Sequence, residues 1–399
     1  MAQGASSEEA GEPAGPPFKE YSVWAVLFFL GVVFIITALA SAFVALVFSL
    51  LFTPSMTVSI WYFVVFLAID ILVITSQVIT HKNHGRIMLP LYLTSNVLMG
   101  AFMYYFLGAV LGAVLLVLIV VVGLFTEVNA LVTAARALIG LVVIVPTVYG
   151  LIEARFLRVR RFTVPVKGLS RERVRVGMVS DLHLGLLVGK RRLKKVLGVL
   201  ENEQVDLIVI GGDLYDAHPK WTVHLRPYLR RFREIAPTYA VLGNHEFFHD
   251  AKACMNDMKE AGIEAVLTGK VSDEGTGSSL YCLPDPDFYK TMADYRSAFL
   301  KLLKGIDGSS PAVVLAHQPH YFRDAAEKGA ALMLSGHTHA GQMWPGSLIT
   351  KRIYKDGDRG LYRRGDSYLY VSVGAGTWGP PMRVLAPPEM AIIDLKKVG

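Results

Sequence analysis

The sequence is poor in cysteine, and its first 153 residues are poor in charge. The chain of 399 residues has only two cysteines, Cys254 and Cys282, in unrelated contexts. Their spacing argues against a disulfide framework and against a zinc knuckle, so both are interpreted as packing residues. Residues 1–153 carry four Lys or Arg and seven Asp or Glu. So little charge over so long a stretch predicts a part of the chain that lies in a membrane.

Long apolar runs in this first part predict membrane-spanning helices. The chain is 53% apolar with a mean hydropathy of +0.42, which is too apolar for a purely soluble protein. Residues 1–17 are small, acidic and proline-rich, which predicts a disordered tail. Residues 18–154 are predicted to form an all-α transmembrane domain of about four helices, each near the roughly 20 residues that a bilayer core requires. The predicted spans are 21–52, 58–80, the part of 87–125 that starts near Val97, and about 130–153.

Basic residues beside the predicted spans indicate the orientation. The loop 81–86 and the segment 155–167 are both basic, and with two helices between them they fall on the same side. The positive-inside rule makes that side cytoplasmic. A further span within 87–125 would separate the two loops and stays an alternative. Asp70 lies within a span, where we interpret it as a hydrogen-bonding partner of a neighbouring helix, with lipid or ion handling as the alternative.

The remainder of the chain has the composition of a basic soluble domain. Residues 1–153 have a formal charge of −3 and the whole chain +7, so the remainder carries +10, which favours anionic partners. Residues 155–171 are predicted to be a basic linker and residues 172–399 a layered α/β domain. Helices are expected near 190–202, 222–235, 251–261 and 291–303. Strands are expected at VRVGMVS, DLIVIGG, TYAVLGN, AVVLAHQ, ALMLSGH, YLYVSVG and AIIDL. No aromatic and basic face for nucleic acid is evident, so none is expected as a substrate.

Polar motifs follow the predicted strands, where open α/β sheets place their ligand sites. Each motif alone is typical of a turn, but together they supply carboxylate, amide and imidazole groups that suit two divalent metals sharing one carboxylate. Because strand side chains alternate, each D-x-H or H-x-H pair at a strand end is expected to project to one side. The motifs are SDLHLG with Asp181 and His183, GGDLYD with Asp213, LGNHEF with Asn244 and His245, AHQPH with His317, and GHTHAG with His337 and His339.

This order of motifs over about residues 172–395 resembles that of the calcineurin-like metallophosphoesterase superfamily. The tail GLYRRGDSYLYVSVGAGTWGPPMRVLAPPEM is similar to its membrane-associated bacterial branch, which includes YkuE-like phosphoesterases and, more distantly, UDP-diacylglucosamine pyrophosphatase-like enzymes. The resemblance implies a four-layer α/β/β/α sandwich attached to a multi-pass bundle in a bacterial inner (cytoplasmic) membrane. It also implies two divalent metal ions, with manganese expected and iron or zinc as alternatives.

The resemblance further implies a role for each motif residue. Asp213 would bridge the two metals, and a hydroxide between them would attack phosphorus. His245 would lie beside the substrate, where it stabilises the transition state or protonates the leaving oxygen. The implied ligands of one metal are Asp181, His183 and His339, and those of the other are Asn244, His317 and His337.

Several interpretations stay open at this point. The leading hypothesis is a membrane-anchored phosphohydrolase that cleaves a phosphoester or pyrophosphate bond of a lipid or lipid-linked substrate, with the bilayer as its partner. A soluble phosphoester such as a nucleotide is the alternative, and a catalytically inactive binding module is a third reading. Arg383 is a candidate contact for substrate phosphate. Asp216 is interpreted either as a brace for a ligand or as a turn residue, and residues 281–295 either as a substrate-side lid or as a packed insertion.

Overall fold

The computed structural model describes residues 23–273, 275–355 and 357–398. The tail predicted at 1–17 lies outside the described residues. The fold has two parts, a bundle of apolar helices and an α/β unit with two mixed sheets.

Among the described residues, four helices are long and apolar enough to cross a membrane. Large apolar side chains such as Ile35 and Leu39 are exposed on the bundle, as expected for a surface that faces lipid. Asp70 is buried and accepts a hydrogen bond of 2.6 Å from Ser41 of the neighbouring helix, which agrees with its interpretation as an interhelical partner. The helices are α1 Val23–Phe52, α2 Met56–Lys82, α3 Leu89–Gly123 and α4 Asn129–Glu153.

The third helix is continuous over 35 residues, with Pro90 in its first turn, where a missing N–H costs no hydrogen bond. At 1.5 Å per residue it is roughly 50 Å long and exceeds a hydrocarbon core of about 30 Å. The sequence predicted a span that starts near Val97, but the structure shows no break there. Instead, the N-terminal half of α3 packs against the α/β unit, where Tyr104 and Val97 share an apolar cluster with Met382.

The α/β unit is built from twelve strands among the described residues. One sheet has the order β1-β12-β2-β3-β4-β5 and the other β10-β11-β9-β8-β7-β6. The consecutive strands β2, β3 and β4 are parallel, as are β7, β8 and β9, so their carboxyl ends lie at one edge of each sheet. The strands are β1 Arg158–Val166, β2 Arg173–Val179, β3 Leu207–Ile210, β4 Thr238–Ala240, β5 Glu264–Ala265, β6 Gly269–Asp273, β7 Ser278–Leu283, β8 Ala312–Ala316, β9 Leu332–Ser335, β10 Gly360–Arg364, β11 Ser367–Val371 and β12 Glu389–Lys397.

Helices cover the outer faces of both sheets, which gives the expected α/β/β/α layers. The cluster outside the first sheet includes Leu197 and Phe232, the one between the sheets includes Val209 and Leu315, and the one outside the second sheet includes Phe299. Apolar residues on both faces of the parallel strands account for their continuous apolar runs. The helices are α5 Lys190–Glu203, α6 Pro219–Thr222, α7 Arg226–Ile235, α8 Asn244–Phe248, α9 Ala251–Glu260, α10 Met292–Leu303, α11 Phe322–Glu327 and α12 Gly346–Ile353.

The segment predicted as a basic linker contains strand β1. This strand pairs in parallel with β12 over its whole length, from Arg158 opposite Glu389 to Val166 opposite Lys397. Alternation in RVRRFTVPV explains the strand, since Val164 and Val166 are buried while the arginines are not. The bundle is therefore joined to the sheet by a short turn after α4.

Candidate metal centre

The residues that the motifs singled out converge at one edge of the α/β unit. Asp181 and His183 follow β2, Asp213 follows β3 and Asn244 begins α8 after β4, all from the first sheet. His317 follows β8, and His337 and His339 follow β9, all from the second sheet. The convergence follows from topology, because the carboxyl ends of parallel strands meet at the same edge.

One group of donors comprises Asp181, His183 and His339. The Nε2 atoms of the two imidazoles are 3.0 Å apart, and His339 Nε2 is 3.5 Å from an oxygen of Asp181. All three side chains are almost completely buried. Two ring nitrogens and a carboxylate oxygen that face each other at these distances form a donor set that suits a divalent metal.

A second group comprises Asn244, His317 and His337. The Nδ1 atom of His337 is 3.0 Å from the amide oxygen of Asn244 and 3.2 Å from Nε2 of His317. His317 Nδ1 donates to the carbonyl of Gly211 at 2.7 Å, which turns Nε2 toward this group.

Asp213 lies between the two groups. Its carboxylate oxygen is 3.4 Å from Nε2 of His317 and 3.8 Å from Nε2 of His183. The other oxygen accepts the backbone N–H of His245 at 2.9 Å. The structure therefore brings together every residue that the motifs nominated for the two metals, with Asp213 in the central position.

The backbone reaches this arrangement by left-handed turns, which differs from the strand alternation that the sequence suggested. The strands end before the donor residues, and positive φ angles of 47° to 67° occur at five of them. Such angles are unfavourable for residues with a side chain and are typical of functional sites. A left-handed turn can direct the side chains of residues i and i+2 into one site without extending the strand. The five residues are Asp181, His183, Asp213, His337 and His339.

Two residues that support the donors were not identified from the sequence. Glu246 is completely buried and accepts the backbone N–H groups of Asp213, Tyr215 and Gly243 at 2.7 to 3.0 Å. Ser180 donates to Asp181 Oδ2 at 2.5 Å. Both directly neighbour motif residues, and a carboxylate next to His245 in LGNHEF was the available signal for Glu246.

Asp216 lies against two histidines of the site. Its carboxylate is 2.9 Å from Nδ1 of His245 and 3.5 Å from Nδ1 of His183. Burial opposes the charge of Asp216, but the neighbouring His183 and His245 imidazoles together outweigh burial and lower its pKa. This placement agrees with the interpretation of Asp216 as a brace, because a carboxylate on Nδ1 fixes the ring and directs Nε2 into the site.

Two of the predicted histidine ligands, His337 and His339, are held in the neutral form by their surroundings. Burial, together with the neighbouring His317, lowers the pKa of His337 to about 3. Burial and the Arg383 guanidinium hold the pKa of His339 well below its usual range. Burial also lowers the pKa of His317, but the carboxylates of Asp213, Asp181 and Asp285 together outweigh burial and raise that pKa. Metal binding would have to displace the proton from His317, since only neutral imidazole is a ligand.

Comparison with known proteins agrees with this geometry. The calcineurin-like phosphoesterase family model matches residues 174–341. An uncharacterized metallophosphoesterase of Aquifex aeolicus is 31% identical over 253 residues, which cover 63% of this chain and 96% of that protein. The chain belongs to the metallophosphoesterase family.

Two further relatives are similar to this chain, and the name of one of them refers to a membrane. A zebrafish protein named as a transmembrane protein with metallophosphoesterase domain is 30% identical over 263 residues, 63% of this chain and 60% of that protein. The uncharacterized metallophosphoesterase YkuE of Bacillus subtilis is 28% identical over 224 residues, 54% of this chain and 77% of that protein. This chain thus spans less than two thirds of the zebrafish relative. The four apolar helices and the transmembrane relative indicate that this metallophosphoesterase is a membrane protein.

The donor set of the metallophosphoesterase fits two divalent metals, as its family implies. The His183 group and the His337 group each offer nitrogen and oxygen donors within 4.8 Å of one another, with Asp213 within reach of both. Imidazole with carboxylate or amide oxygen suits first-row divalent ions, and the site contains no thiolate that would favour softer ones.

The structure corrects the placement of Arg383. The sequence offered this residue as a substrate contact, but its side chain is completely buried. Its guanidinium lies 2.8 Å from Nδ1 of His339 and donates to backbone carbonyls, including that of Val373 at 2.7 Å. Arg383 therefore holds His339 and the loop behind it, and its buried guanidinium is occupied by these contacts.

The mouth of the site is bordered by residues from three segments. The Trp378 ring lies 5.9 Å from that of His245, and the Tyr354 ring lies 6.0 Å from that of His337. The segment 281–295 contributes Asp285, which is buried and has an oxygen 4.0 Å from Nε2 of His317. The side-chain amide of Gln318 donates to Asp285 at 2.8 Å. This contact agrees with the interpretation of 281–295 as a packed segment at the rim of the site.

Proposed function

We propose that this metallophosphoesterase is a membrane-bound, two-metal phosphohydrolase that cleaves a phosphoester or pyrophosphate bond of a lipid or lipid-linked substrate. One observation carries the proposal. The loop of residues 374–385, which borders the site where the donor groups meet, packs directly on the apolar bundle. Met382 and Val384 of this loop share a cluster with Tyr104 of α3, and the backbone N–H of Arg383 donates to Gly150 of α4 at 2.9 Å.

The residues would divide between two metals as their groupings suggest. Two divalent cations, when bound, would supply positive charge for a phosphate group and activate water at neutral pH. Manganese is the expected ion, and iron or zinc would suit the same donors. Asp181, His183 and His339 would hold one ion and Asn244, His317 and His337 the other, with Asp213 shared.

His245 would act on the leaving group. Its Nδ1 atom faces Asp216, so the ring is held in place and its protonated form is favoured. The ring borders the mouth beside Trp378, where its Nε2–H could donate a proton to the leaving oxygen. Proton donation by a positioned imidazole contributes typically about 100-fold to 10,000-fold.

Replacing His245 tests this role. The His245→Ala variant, purified in detergent and loaded with manganese, should hydrolyse an aryl phosphate at least about 100-fold more slowly while it retains its metal. His224→Ala, a change at an exposed histidine, is the matched control and should keep full activity. Unchanged turnover by the His245 variant would remove this mechanism.

A panel of substrates tests the substrate class. The full chain in nanodiscs with manganese should hydrolyse phospholipids or lipid-linked diphosphates faster than nucleotides at equal concentration. The soluble alternative predicts the reverse, with the bundle serving only as an anchor. Absence of turnover on every phosphate together with less than about one metal per chain would favour the binding module instead.

The position of the protein in the cell is part of the proposal. The basic segments 81–86 and 155–167 lie at the end of the bundle that meets the α/β unit, because α2 ends and α4 ends there. From the positive-inside rule we propose that the α/β unit lies on the cytoplasmic side, and the resemblance of the sequence implies a bacterial inner membrane. We take residues 18–154 as the membrane domain and 172–399 as the catalytic domain, with β1 joining the latter.

A further inference from the structure

Helix α12 has an apolar face that the rest of the described chain leaves uncovered. Leu348, Ile349 and Ile353 are 60%, 64% and 58% exposed, and Trp344 just before the helix is 45% exposed. Ser347 is buried. In a helix of eight residues, Ser347 marks the buried side, and the large apolar side chains share the exposed side with Arg352.

Contacts with the bundle indicate the depth of this face relative to the bilayer. The Tyr104 hydroxyl of α3 donates to the backbone carbonyl of Trp344 at 3.2 Å. Helix α3 ends at Gly123, and a hydrocarbon core needs about 20 residues of helix. Counted back from Gly123, the core therefore reaches Tyr104, so Trp344 lies at the edge of the hydrocarbon or inside it.

The apolar surface of the bundle continues into this face. Met343, next to Trp344, packs with Tyr104 and Leu107 of α3 and with Leu151 of α4. Lys351 and Arg352 of α12 are exposed beside the apolar side chains. Large apolar residues together with tryptophan and flanking cations are typical of helices that lie in the membrane interface.

We infer that α12 is an interfacial membrane helix, whose face of Trp344, Leu348, Ile349 and Ile353 inserts into the lipid head-group and upper acyl region beside the bundle. The lipid bilayer itself would cover this face of α12. The assignment concerns contact with the membrane and does not depend on which phosphate the enzyme hydrolyses.

An inserted α12 would also affect access to the metal centre. Helix α12 leads directly into Tyr354, whose ring borders His337 and whose hydroxyl lies 3.3 Å from Gln318. An inserted α12 would hold this wall of the mouth at the level of the lipid head groups. Phosphate groups in the membrane surface would then reach the donors by a short lateral movement.

Site-specific fluorescence tests the insertion. Ile349→Cys would be labelled with the NBD fluorophore in the full chain, since the native cysteines are buried, and reconstituted in phosphatidylglycerol nanodiscs. Asp366→Cys is the matched control, because Asp366 precedes β11 at the opposite end of the sheet from the site and its side chain is 83% exposed. Manganese-dependent hydrolysis of an aryl phosphate would verify the fold of both, and Leu348→Cys would replace a variant that fails this check.

Quenchers decide the outcome. A nitroxide on the upper acyl chain should reduce emission of the label at 349 by about half or more, as expected for a depth of about 5–10 Å, and leave the label at 366 almost unaffected. Iodide in water should do the opposite. Quenching of residue 349 by iodide would overturn the assignment. Shielding from both quenchers would also overturn it and would indicate a second copy of the chain on this face.

Discussion

Asp216 contacts two histidines of the predicted metal centre, His183 and His245, through their Nδ1 atoms. A carboxylate in this position orients both rings and strengthens their basicity. Asp216→Asn should therefore lower kcat by about 10-fold to 100-fold, because the charged contact that orients both rings is lost while the protein keeps its fold. Turnover of an aryl phosphate with manganese measures the effect.

The Asp216→Asn variant also distinguishes a residue that orients the histidines from one that only shapes the turn. If Asp216 only shapes the turn, Asp216→Asn should leave kcat unchanged, since asparagine is tolerated in turns as well as aspartate. Manganese content measured after gel filtration is the control, and it should stay near that of the unaltered protein.

Arg383 offers a second prediction at the level of one residue. Arg383→Lys keeps the positive charge but cannot reach His339 and the carbonyls together, since lysine has a single ammonium group. We expect manganese affinity to fall by about 10-fold to 100-fold, as for other residues that orient metal ligands. Metal titration followed by calorimetry measures this; a change in KM at saturating metal with unchanged metal affinity would instead support substrate contact.

The pH dependence of metal-free stability is a third prediction. Burial lowers the pKa of His245, but Asp213 and Asp216 outweigh burial and raise it to about 9, against about 6.5 in the unfolded chain. A base with a raised folded pKa stabilises the fold below the unfolded pKa, and this stability is lost as pH rises through the folded pKa. The protein in EDTA should thus lose on the order of 3 kcal/mol between about pH 6.5 and pH 9.

Thermal unfolding in EDTA at both ends of that pH range measures this loss. His245→Gln is the control and should show a clearly smaller loss, because glutamine does not titrate while His317, whose pKa is also raised, still does. Protein loaded with manganese should also show a weaker dependence, since the cations repel the imidazolium proton. An equal fall in Tm for the variant and the unaltered protein would contradict the assignment to His245.

At the scale of the elements, the turns after the strands depend on glycine where two segments meet. A side chain at Gly336 would place its Cβ 2.0 Å from Ser180 Oγ and 2.2 Å from Asp181 Oδ2. Gly336→Ala should push the β9 turn away from β2, destabilise the protein by about 1–3 kcal/mol and weaken metal binding. Thermal unfolding and manganese content would report the two effects.

Gly198 provides the matched control for this change. It lies within helix α5, and nothing is within 4 Å of a Cβ added there. Gly198→Ala should stabilise the protein by about 1 kcal/mol, because alanine is the better helix former. Equal effects of the two substitutions would contradict a specific role for Gly336.

The sequence predicted the regular elements better than the irregular ones. The helix predicted at 190–202 is α5, and the one at 291–303 is α10, since both have a clear apolar face. Strand β1 was missed because its charges suggested a linker. Its pairing with β12 also depends on residues more than 200 positions away, which a local pattern does not show. Helix α12 was missed because it is short and its apolar residues do not face a core.

At the scale of the whole molecule, the bundle and the α/β unit share an apolar interface. Met343, Met382 and Val384 pack against α3 and α4, and Gly150 contacts Val384 so closely that an added Cβ would lie 2.9 Å from it. Removal of residues 1–154 should expose this surface, so the remaining chain should aggregate in buffer without detergent. Size-exclusion chromatography measures the aggregation.

A second truncated chain makes this prediction specific. Met382→Gln and Val384→Gln in the same truncated chain should restore a larger monomeric fraction, because polar side chains would replace the exposed apolar ones. A truncated chain that is monomeric without these substitutions would show that the interface is not needed to keep the α/β unit soluble.

The sequence by itself determined the division into apolar helices and an α/β unit, and it nominated the donors from Asp181 to His339, because periodicity and motif order are local properties. Only the tertiary structure decided how the donors meet. Left-handed turns, the buried Glu246 and the position of Arg383 behind His339 depend on contacts between distant segments, which a linear pattern does not record. The proximity of α12 to the bundle was likewise decided by packing, since Tyr104 and Trp344 are 240 residues apart in the chain.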